Sequence, residues 1–301
     1  MSLTSPAFED RIIALHGLTG QEWLNSLPEL QKEVIQRWSL SEIQPVQNIS
    51  YNYLVFATNS EDRPVVLKLG VPHHEFEMEI QALRAFSGNG TVRLLKADPS
   101  QGAMLLERIL PGNNLLSIQN DQVSTLIAAR LMVKIWKPAP SESTFPSAGN
   151  WCQGISRYLA NYPENGPLPA GPIRDAADLA KQLLGTSQTQ LLLHGDLHHM
   201  NILLGENENW IAIDPKGVVG EGAFEVGALM LNPVPDLIHR ADLKDIQRQR
   251  LTILAEELRI DQERLAAWSF VRAVLSAVWS LADGGDLDYG IVVAEVLREL
   301  V

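Results

Sequence analysis

The chain has 301 residues, of which 46% are hydrophobic, and its formal net charge is −12. This length and composition can fill two substantial cores, while the acidic balance argues against nucleic acid and acidic membrane surfaces as partners. Its single cysteine, Cys152, excludes an internal disulfide and suggests a reducing compartment. Because neither a secretory leader nor an apolar run of membrane-spanning length is evident, we expect a cytoplasmic protein.

The N-terminal third predicts helices followed by alternating short strands. Residues 6–17 and 19–38 are predicted to be helical, because apolar side chains recur there at helical spacing: Trp23, Leu27, Leu30, Val34 and Trp38. Residues 43–110 alternate short strands with one helix. Among the strands, Pro64–Leu69 carries Lys68, and the apolar run Ala103–Ile109 ends before a Pro-Gly pair.

The remainder of the chain predicts mostly helix. Asp121 is a candidate N-cap for a helix that runs to Trp136. Further helices are predicted at about 150–161, 173–184, 242–258, 261–281 and 288–300. These lengths are typical of helices that pack around a shared core.

The most informative segment lies among these helices. It reads His-Gly-Asp-Leu-His-His-Met-Asn over residues 194–201, and Asp214 follows thirteen residues after Asn201. An apolar run at 191–193 would deliver this loop, and two short runs around a polar turn would form a hairpin after it. Asp196 and Asn201 match the spacing of the kinase catalytic loop H-x-D-x-x-x-x-N, and Asp214 stands where the D-F-G aspartate stands.

Phosphoryl transfer from ATP explains why all these residues are needed. Asp196 would receive the proton of the substrate hydroxyl, while Asn201 and Asp214 would hold Mg²⁺ against the phosphates. Lys68 would position the α- and β-phosphates, held by a glutamate on the next helix. Three glutamates are candidates, Glu75, Glu77 and Glu79. We favour Glu79, because apolar residues recur at helical spacing from the next residue onward. Glu77 is the fallback.

The strand that ends near Pro111 would supply the adenine site. Adenine takes hydrogen bonds from backbone groups at a kinase hinge, here the Glu107 carbonyl and the Ile109 amide. This assignment follows from position along the chain, since side-chain identity matters little at a hinge.

These motifs together resemble the aminoglycoside phosphotransferases, within them the streptomycin 6-kinase and hydroxyurea-resistance kinase branch. The finer match is carried by Leu105–Arg108 with a following Pro-Gly, by the 194–201 loop, and by the run Asp-Pro-Lys-Gly-Val-Val-Gly over 214–220 with Phe224-Glu225 after it. The resemblance covers about residues 40–300. It implies an α+β, bilobal protein-kinase-like fold with a small mixed β-sheet N-lobe and a mostly helical C-lobe. Residues 1–108 would be the nucleotide-binding lobe with its N-terminal helices, and 109–301 the catalytic and substrate-binding lobe. It also implies ATP, Mg²⁺ and O-phosphorylation of a small acceptor.

One departure concerns the phosphate loop. The segment 47–53, before the Lys68 strand, contains no glycine, and no P-loop motif occurs. A serine and asparagine turn can still present backbone amides to phosphate. Two further expectations concern the catalytic loop, where His194 would orient the chain through hydrogen bonds and Glu225 would pin the loop backbone.

The acceptor site is predicted between the catalytic loop and the late helices. Its acidic candidates are Glu221, Asp283, Asp286 and Asp288. A cationic acceptor would be attracted by such carboxylates. The alternative reading of the last three is a solvated turn in which Asp286 or Asp288 caps a helix.

Other functions remain open at this stage. A metabolic kinase for a sugar, amine or alcohol would share the catalytic loop. The glycine-free segment leaves room for a nucleotide-binding, pseudokinase-like module. A protein kinase is disfavoured, because no A-P-E element follows Asp214. The sequence is compatible with a monomer or a homodimer.

Overall fold

In a computed structural model the chain divides into two compact units, residues 1–112 and 113–301. The structure describes residues 3–47, 49–140, 143–187 and 189–301. The division predicted from the sequence lies slightly earlier, between residues 108 and 109.

The first unit combines a long N-terminal helical segment with one five-stranded sheet. Its elements are α1 (Pro6–Trp38), β1 (Ser41–Pro45), β2 (Tyr53–Thr58), β3 (Pro64–Leu69), α2 (His74–Phe86), β4 (Leu94–Asp98) and β5 (Ala103–Glu107). The strand order is β1-β2-β3-β5-β4, and each pairing is antiparallel. The expected mixed sheet is therefore corrected: β1–β2, β2–β3 and β4–β5 are joined by short connections, which can link only antiparallel neighbours.

The packing of α1 shows which face of the sheet carries Lys68. Gly17 interrupts α1 with φ 58° and ψ −133°, so the predicted helices at 6–17 and 19–38 are confirmed as two stretches. The second stretch buries Trp23 and Leu27 in one cluster with Val55 of β2 and Leu67 of β3. Because side chains alternate along a strand, Lys68 projects from the opposite face of the sheet.

The second unit is mostly helical and contains two short sheets. Its elements are α3 (Asp121–Ile135), β6 (Lys137–Pro138), α4 (Ala148–Asn161), α5 (Ala170–Thr186), β7 (Leu191–Leu193), β8 (Ile202–Leu204), β9 (Trp210–Ala212), β10 (Val218–Gly220), α6 (Gly222–Met230), α7 (Leu243–Leu258), α8 (Gln262–Ala282) and α9 (Asp288–Arg298). One sheet has the order β10-β7-β6, and β8 pairs with β9. The predicted helices and the predicted hairpin are confirmed, with ends that shift by a few residues.

The N-cap of α3 is one residue earlier than predicted. The side chain of Asn120 accepts hydrogen bonds from the backbone N–H groups of Gln122 and Val123, at 3.0 and 3.3 Å. The Asp121 carboxylate instead accepts from Arg250 Nε at 3.0 Å. The two neighbouring residues thus divide the roles, and Asn120 caps the helix while Asp121 pairs with a distant arginine.

Two apolar helices form the centre of this unit. Every residue of α6 is buried, and such a helix shows no polar face by which sequence could reveal it. By length and composition α8 could span a membrane, contrary to the sequence expectation, but 67% of its most apolar stretch is buried inside the described structure. That burial is the pattern of a core helix.

Candidate active site

In the first unit, strand β3 and helix α2 bring together one buried ion pair. Lys68 and Glu79 are 3% and 8% exposed, and Lys68 Nζ lies 2.7 and 2.8 Å from the two carboxylate oxygens of Glu79. Glu75 and Glu77 are exposed on the same helix. These distances confirm Glu79 as the partner of Lys68. The pairing matters for stability, because an unpaired buried charge would be far more costly than this pair.

In the second unit, strands β7 and β10 hold the two ends of the candidate catalytic segment. They pair antiparallel, with Leu193 opposite Val218. The loop leaves β7 at His194, forms a short 3₁₀ turn at His199–Asn201, and enters β8. Asp214 then follows β9. Its φ is 59°, which is a left-handed backbone conformation that is uncommon for residues other than glycine.

Hydrogen bonds tie the loop to the turn that contains Asp214. The carbonyl of His194 accepts from the N–H groups of Lys216 and Gly217, at 2.8 and 3.1 Å. The imidazole Nε2 of His194 lies 2.8 Å from the carbonyl of Ile213, and the N–H of Ile213 donates to the carbonyl of Asn201 at 2.9 Å. These bonds fix the backbone around all three polar candidates, Asp196, Asn201 and Asp214.

The imidazole of His194 is neutral at physiological pH. Burial lowers its pKa to about 4, more than the nearby Asp196 carboxylate raises it. Its Nδ1 accepts from the backbone N–H of Asp196 at 3.2 Å, so the Nε2 proton donates to Ile213. The predicted orienting contacts of His194 are confirmed.

Asp196 and Asn201 are both partly exposed, whereas His194, Gly195 and Leu197 of the same loop are buried. Asn201 Nδ2 donates to the carbonyl of Asp196 at 2.9 Å, which turns its Oδ1 away from that bond. Together with the Asp214 carboxylate, this amide oxygen is a hard oxygen donor of the type that Mg²⁺ prefers. The residues present therefore fit a magnesium site.

Glu225, on α6, pins the loop backbone as predicted. One carboxylate oxygen accepts from the N–H of His194 at 2.6 Å, and the other accepts from the N–H of Gly195 at 2.9 Å. Burial raises the pKa of Glu225 to about 7, against these two hydrogen bonds and the positive charge of Arg272, which lower it. This side chain is 1% exposed, so it acts on the loop from inside the unit.

The predicted adenine and phosphate contacts lie in the first unit. Glu107 ends β5, and its carboxylate accepts from Arg93 N and Arg93 Nε, both at 2.8 Å. The roles of the Glu107 carbonyl and the Ile109 amide stay predictions. The glycine-free segment 47–53 precedes β3 as expected, and its Asn48 lies outside the described residues.

The four acceptor candidates lie in two different settings. Glu221 is 8% exposed, and its carboxylate accepts 2.7 Å bonds from Arg264 Nε and Nη2 and a further bond from Trp268. The other three are exposed, and Asp286 accepts from the N–H of Asp288 at 2.9 Å near the start of α9. Asp286 thus bonds to the first turn of α9, as in the alternative reading, although the N-cap position itself is Leu287. A role in acceptor binding stays a prediction for all four: Glu221, Asp283, Asp286 and Asp288.

Sequence reasoning missed Arg272, which α8 places under the loop. It is 4% exposed, and its Nη2 donates to the carbonyl of Gly195 at 3.0 Å. One signal could have revealed it, because Arg272 is a lone charge inside the apolar run 265–282 of a predicted helix.

The comparisons with known proteins agree with this geometry. Residues 37–284 match the family described as aminoglycoside/hydroxyurea antibiotic resistance kinase. The chain belongs to this family. Streptomycin 6-kinase of Streptomyces glaucescens is 30% identical over 271 residues, covering 89% of this chain and 87% of that enzyme. Hydroxyurea phosphotransferase of Kitasatospora aureofaciens is 30% identical over 295 residues, covering 93% and 82%.

A solved structure shows the same fold. A choline/ethanolamine kinase family protein from Mesorhizobium loti matches with a TM-score of 0.64 and 16% identity, over 90% of this chain and 94% of that chain. The predicted kinase-like fold and the predicted reaction class, phosphoryl transfer to a small molecule, are confirmed. Membership of this antibiotic resistance kinase family implies ATP as the phosphoryl donor.

Proposed function

We propose that this family member is an ATP- and Mg²⁺-dependent O-phosphotransferase with a small hydroxyl-bearing acceptor. The acceptor that we favour is an aminoglycoside of the streptomycin type or hydroxyurea, on which the two relatives named above act by their names. One observation carries the proposal. A partly exposed carboxylate, Asp196, stands on a loop whose backbone is fixed by Glu225, His194 and the turn of Asp214.

In the proposed reaction, Asp196 accepts the proton of the acceptor hydroxyl. The hydroxyl oxygen forms a bond to the γ-phosphorus, and the bond from that phosphorus to the β–γ bridging oxygen breaks, so ADP leaves with the electron pair. Bound Mg²⁺ would neutralise phosphate charge, and Asn201 Oδ1 and the Asp214 carboxylate are the residues that would hold it.

The first unit would bind the nucleotide. Lys68 offers an ammonium group that Glu79 holds in one position through two short hydrogen bonds. A lysine fixed in this way can bind the α- and β-phosphates as a point charge. Positioning and electrostatic stabilisation would then supply most of the rate acceleration.

The charge of the protein is relevant to which small molecule it phosphorylates. A cationic acceptor is compatible with a chain of net charge −12 and with the exposed carboxylates near the start of α9. We place the reaction in the cytoplasm, where ATP is available and where the lone cysteine would stay reduced.

The test is ADP release measured by a coupled assay with Mg·ATP and a panel of acceptors: streptomycin, other aminoglycosides, hydroxyurea, simple sugars and amines. We expect release that depends on streptomycin or on hydroxyurea, and none with Asp196→Asn. Release with a sugar or amine alone would instead make the protein a metabolic kinase. ATP binding without release on any acceptor would point to a pseudokinase-like module.

A further inference from the structure

A buried arginine lies inside an aromatic cage beneath the candidate catalytic loop. The guanidinium carbon of Arg272 lies 4.9 Å from the ring centroids of Trp151 and Phe224 and 5.3 Å from that of Trp279. Such distances allow a cation to interact with the faces of aromatic rings. Among the described residues, no carboxylate forms an ion pair or a hydrogen bond with this guanidinium, and the aromatic rings surround it instead.

Two other arginines, one on α7 and one on α8, are instead paired with carboxylates. Arg250 is paired with the carboxylate of Asp121, and Arg264 is paired with Glu221. Arg272 makes one hydrogen bond, to the carbonyl of Gly195, and its Nε and Nη1 have no hydrogen-bond partner among the described residues. A buried charge is costly to keep with so few partners, so the contact with Gly195 calls for an explanation other than stability.

The neighbouring helix makes room for this arginine. A Cβ added at Gly227 of α6 would lie 2.4 Å from Cβ of Arg272, closer than real atoms approach. Only a glycine therefore allows the stem of Arg272 to pass α6 at this point. A glycine on α6 therefore accommodates an arginine on α8, although the two residues are far apart along the chain.

Gly195 is held by buried side chains at both of its polar groups. Its N–H donates to Glu225 at 2.9 Å, and its carbonyl accepts from Arg272 at 3.0 Å. Its φ is 86°, and an added Cβ would lie 2.9 Å from the Trp151 ring, so the position requires glycine. The peptide groups on both sides of Gly195, including the one that joins it to Asp196, are thereby fixed in orientation.

We infer that Arg272 is a positioning residue, which holds the Gly195 carbonyl and so aims the carboxylate of Asp196 at the acceptor hydroxyl. The inference rests on the proposed role of Asp196. Arg272 itself is too deeply buried to touch a substrate, so it acts through the loop. Losing the bond would leave nucleotide and acceptor binding intact but would let the carboxylate move from its productive position. A displacement of about 1 Å at a catalytic group can lower the rate about 10²-fold.

The experiment compares Arg272→Met and Arg272→Lys with a matched control, Arg250→Met, in the full chain. The control also removes a buried arginine that binds backbone carbonyls, at Leu229 and Asn232, but these are outside the loop. Two quantities are measured at a temperature at which each variant is folded. The first is steady-state kcat and KM with Mg·ATP and the best acceptor. The second is hydrogen exchange of the backbone amides of residues 194–196, which needs no acceptor.

Arg272→Met is expected to lower kcat about 10²-fold, to leave both KM values within about threefold, and to speed exchange of these amides. Arg272→Lys, which keeps a donor and the charge, should recover part of kcat. Arg250→Met should leave kcat and the exchange of these amides close to those of the wild type, although it lowers stability.

Wild-type kcat and wild-type exchange in Arg272→Met would overturn the inference, as would equal kinetic losses in Arg250→Met. If Arg272→Met does not fold, Arg272→Lys decides in the same way. A partial loss of kcat with faster exchange supports the positioning role, and wild-type values contradict it. If the wild type phosphorylates no acceptor, the proposed function fails, and the exchange measurement still tests whether Arg272 holds the loop.

Discussion

The two units bury charge for different purposes. In the first unit, Lys68 and Glu79 neutralise each other through hydrogen bonds of 2.7 and 2.8 Å. In the second unit, Glu225 and Arg272 are equally buried, but each hydrogen-bonds to the backbone of the loop that carries Asp196. The first arrangement fixes a side chain that can meet a ligand, and the second fixes the shape of a main chain. Substitutions should therefore separate nucleotide binding from the chemical step.

The largest effect is expected at the carboxylate that the loop presents. Asp196→Asn keeps the size of the side chain but removes the carboxylate that we propose accepts the proton, so kcat should fall on the order of 10³-fold. The dissociation constant for Mg·ATP, measured by calorimetry, should change little. A loss of ATP affinity as large as the loss of kcat would contradict the division of roles between the two units.

The next effect concerns the ion pair of the first unit. Lys68→Met leaves Glu79 buried without its partner, and breaking such a pair costs about 3–5 kcal/mol of unfolding free energy. The double variant Lys68→Met/Glu79→Leu should regain most of that stability, because two apolar groups replace the pair. Both variants should bind ATP weakly, since both lack the ammonium group that we propose binds the phosphates.

A matched control for this test is available on the same helix. Glu77 is exposed on α2, only two residues before the buried glutamate. Glu77→Gln should leave the unfolding free energy within about 0.5 kcal/mol of the wild type and leave ATP affinity unchanged. If it reduced ATP affinity as strongly as Glu79→Gln, the geometric choice between the two glutamates would not describe function.

A smaller effect is expected at Glu225. Glu225→Gln keeps one oxygen as an acceptor but turns an NH₂ group toward a backbone N–H, so one buried donor loses its partner. That change should lower the unfolding free energy by about 1–3 kcal/mol. It should also lower kcat while KM for ATP stays the same. Urea unfolding and steady-state kinetics of one preparation measure both effects, and an unchanged kcat would show that the loop keeps its shape without this bond.

The smallest effect is a dependence of stability on pH. The pKa of His194 is lowered by burial to about 4, from an ordinary value of 6.5. Between these values the unfolded chain binds a proton that the folded protein does not, so His194 makes the protein less stable as pH falls from about 6.5 to about 4. His194→Gln should reduce this slope relative to the wild type in thermal or urea unfolding. Parallel curves for the two proteins would show that this imidazole does not titrate on unfolding.

The sequence predicts those parts of the site that depend on short-range pattern. The octet around Asp196, the hairpin after it and the Asp214 turn are contiguous, so spacing alone places them. Helical periodicity also decides which of three glutamates faces inward, so it predicts Glu79 as the partner of Lys68. Contacts between distant segments have no such pattern: 77 residues separate Arg272 from Gly195, and 43 separate Arg264 from Glu221.

Two further differences have similar physical causes. Helix α6 was missed because it is apolar on all sides, and periodicity identifies only helices with a polar face. The N-cap of α3 shifted from Asp121 to Asn120 because a distant arginine, Arg250, binds the aspartate. In both cases tertiary packing decided what local preference left open.

The central claim is that the Asp196 loop transfers the γ-phosphoryl group of ATP to a small acceptor. The most direct test incubates wild type and Asp196→Asn with Mg·ATP and the acceptor that releases ADP best, and then determines the acceptor's mass. The account predicts an acceptor heavier by one phosphoryl group, formed in step with ADP by the wild type and absent with the variant. Release of ADP without a phosphorylated acceptor, or equal product from both proteins, would contradict it.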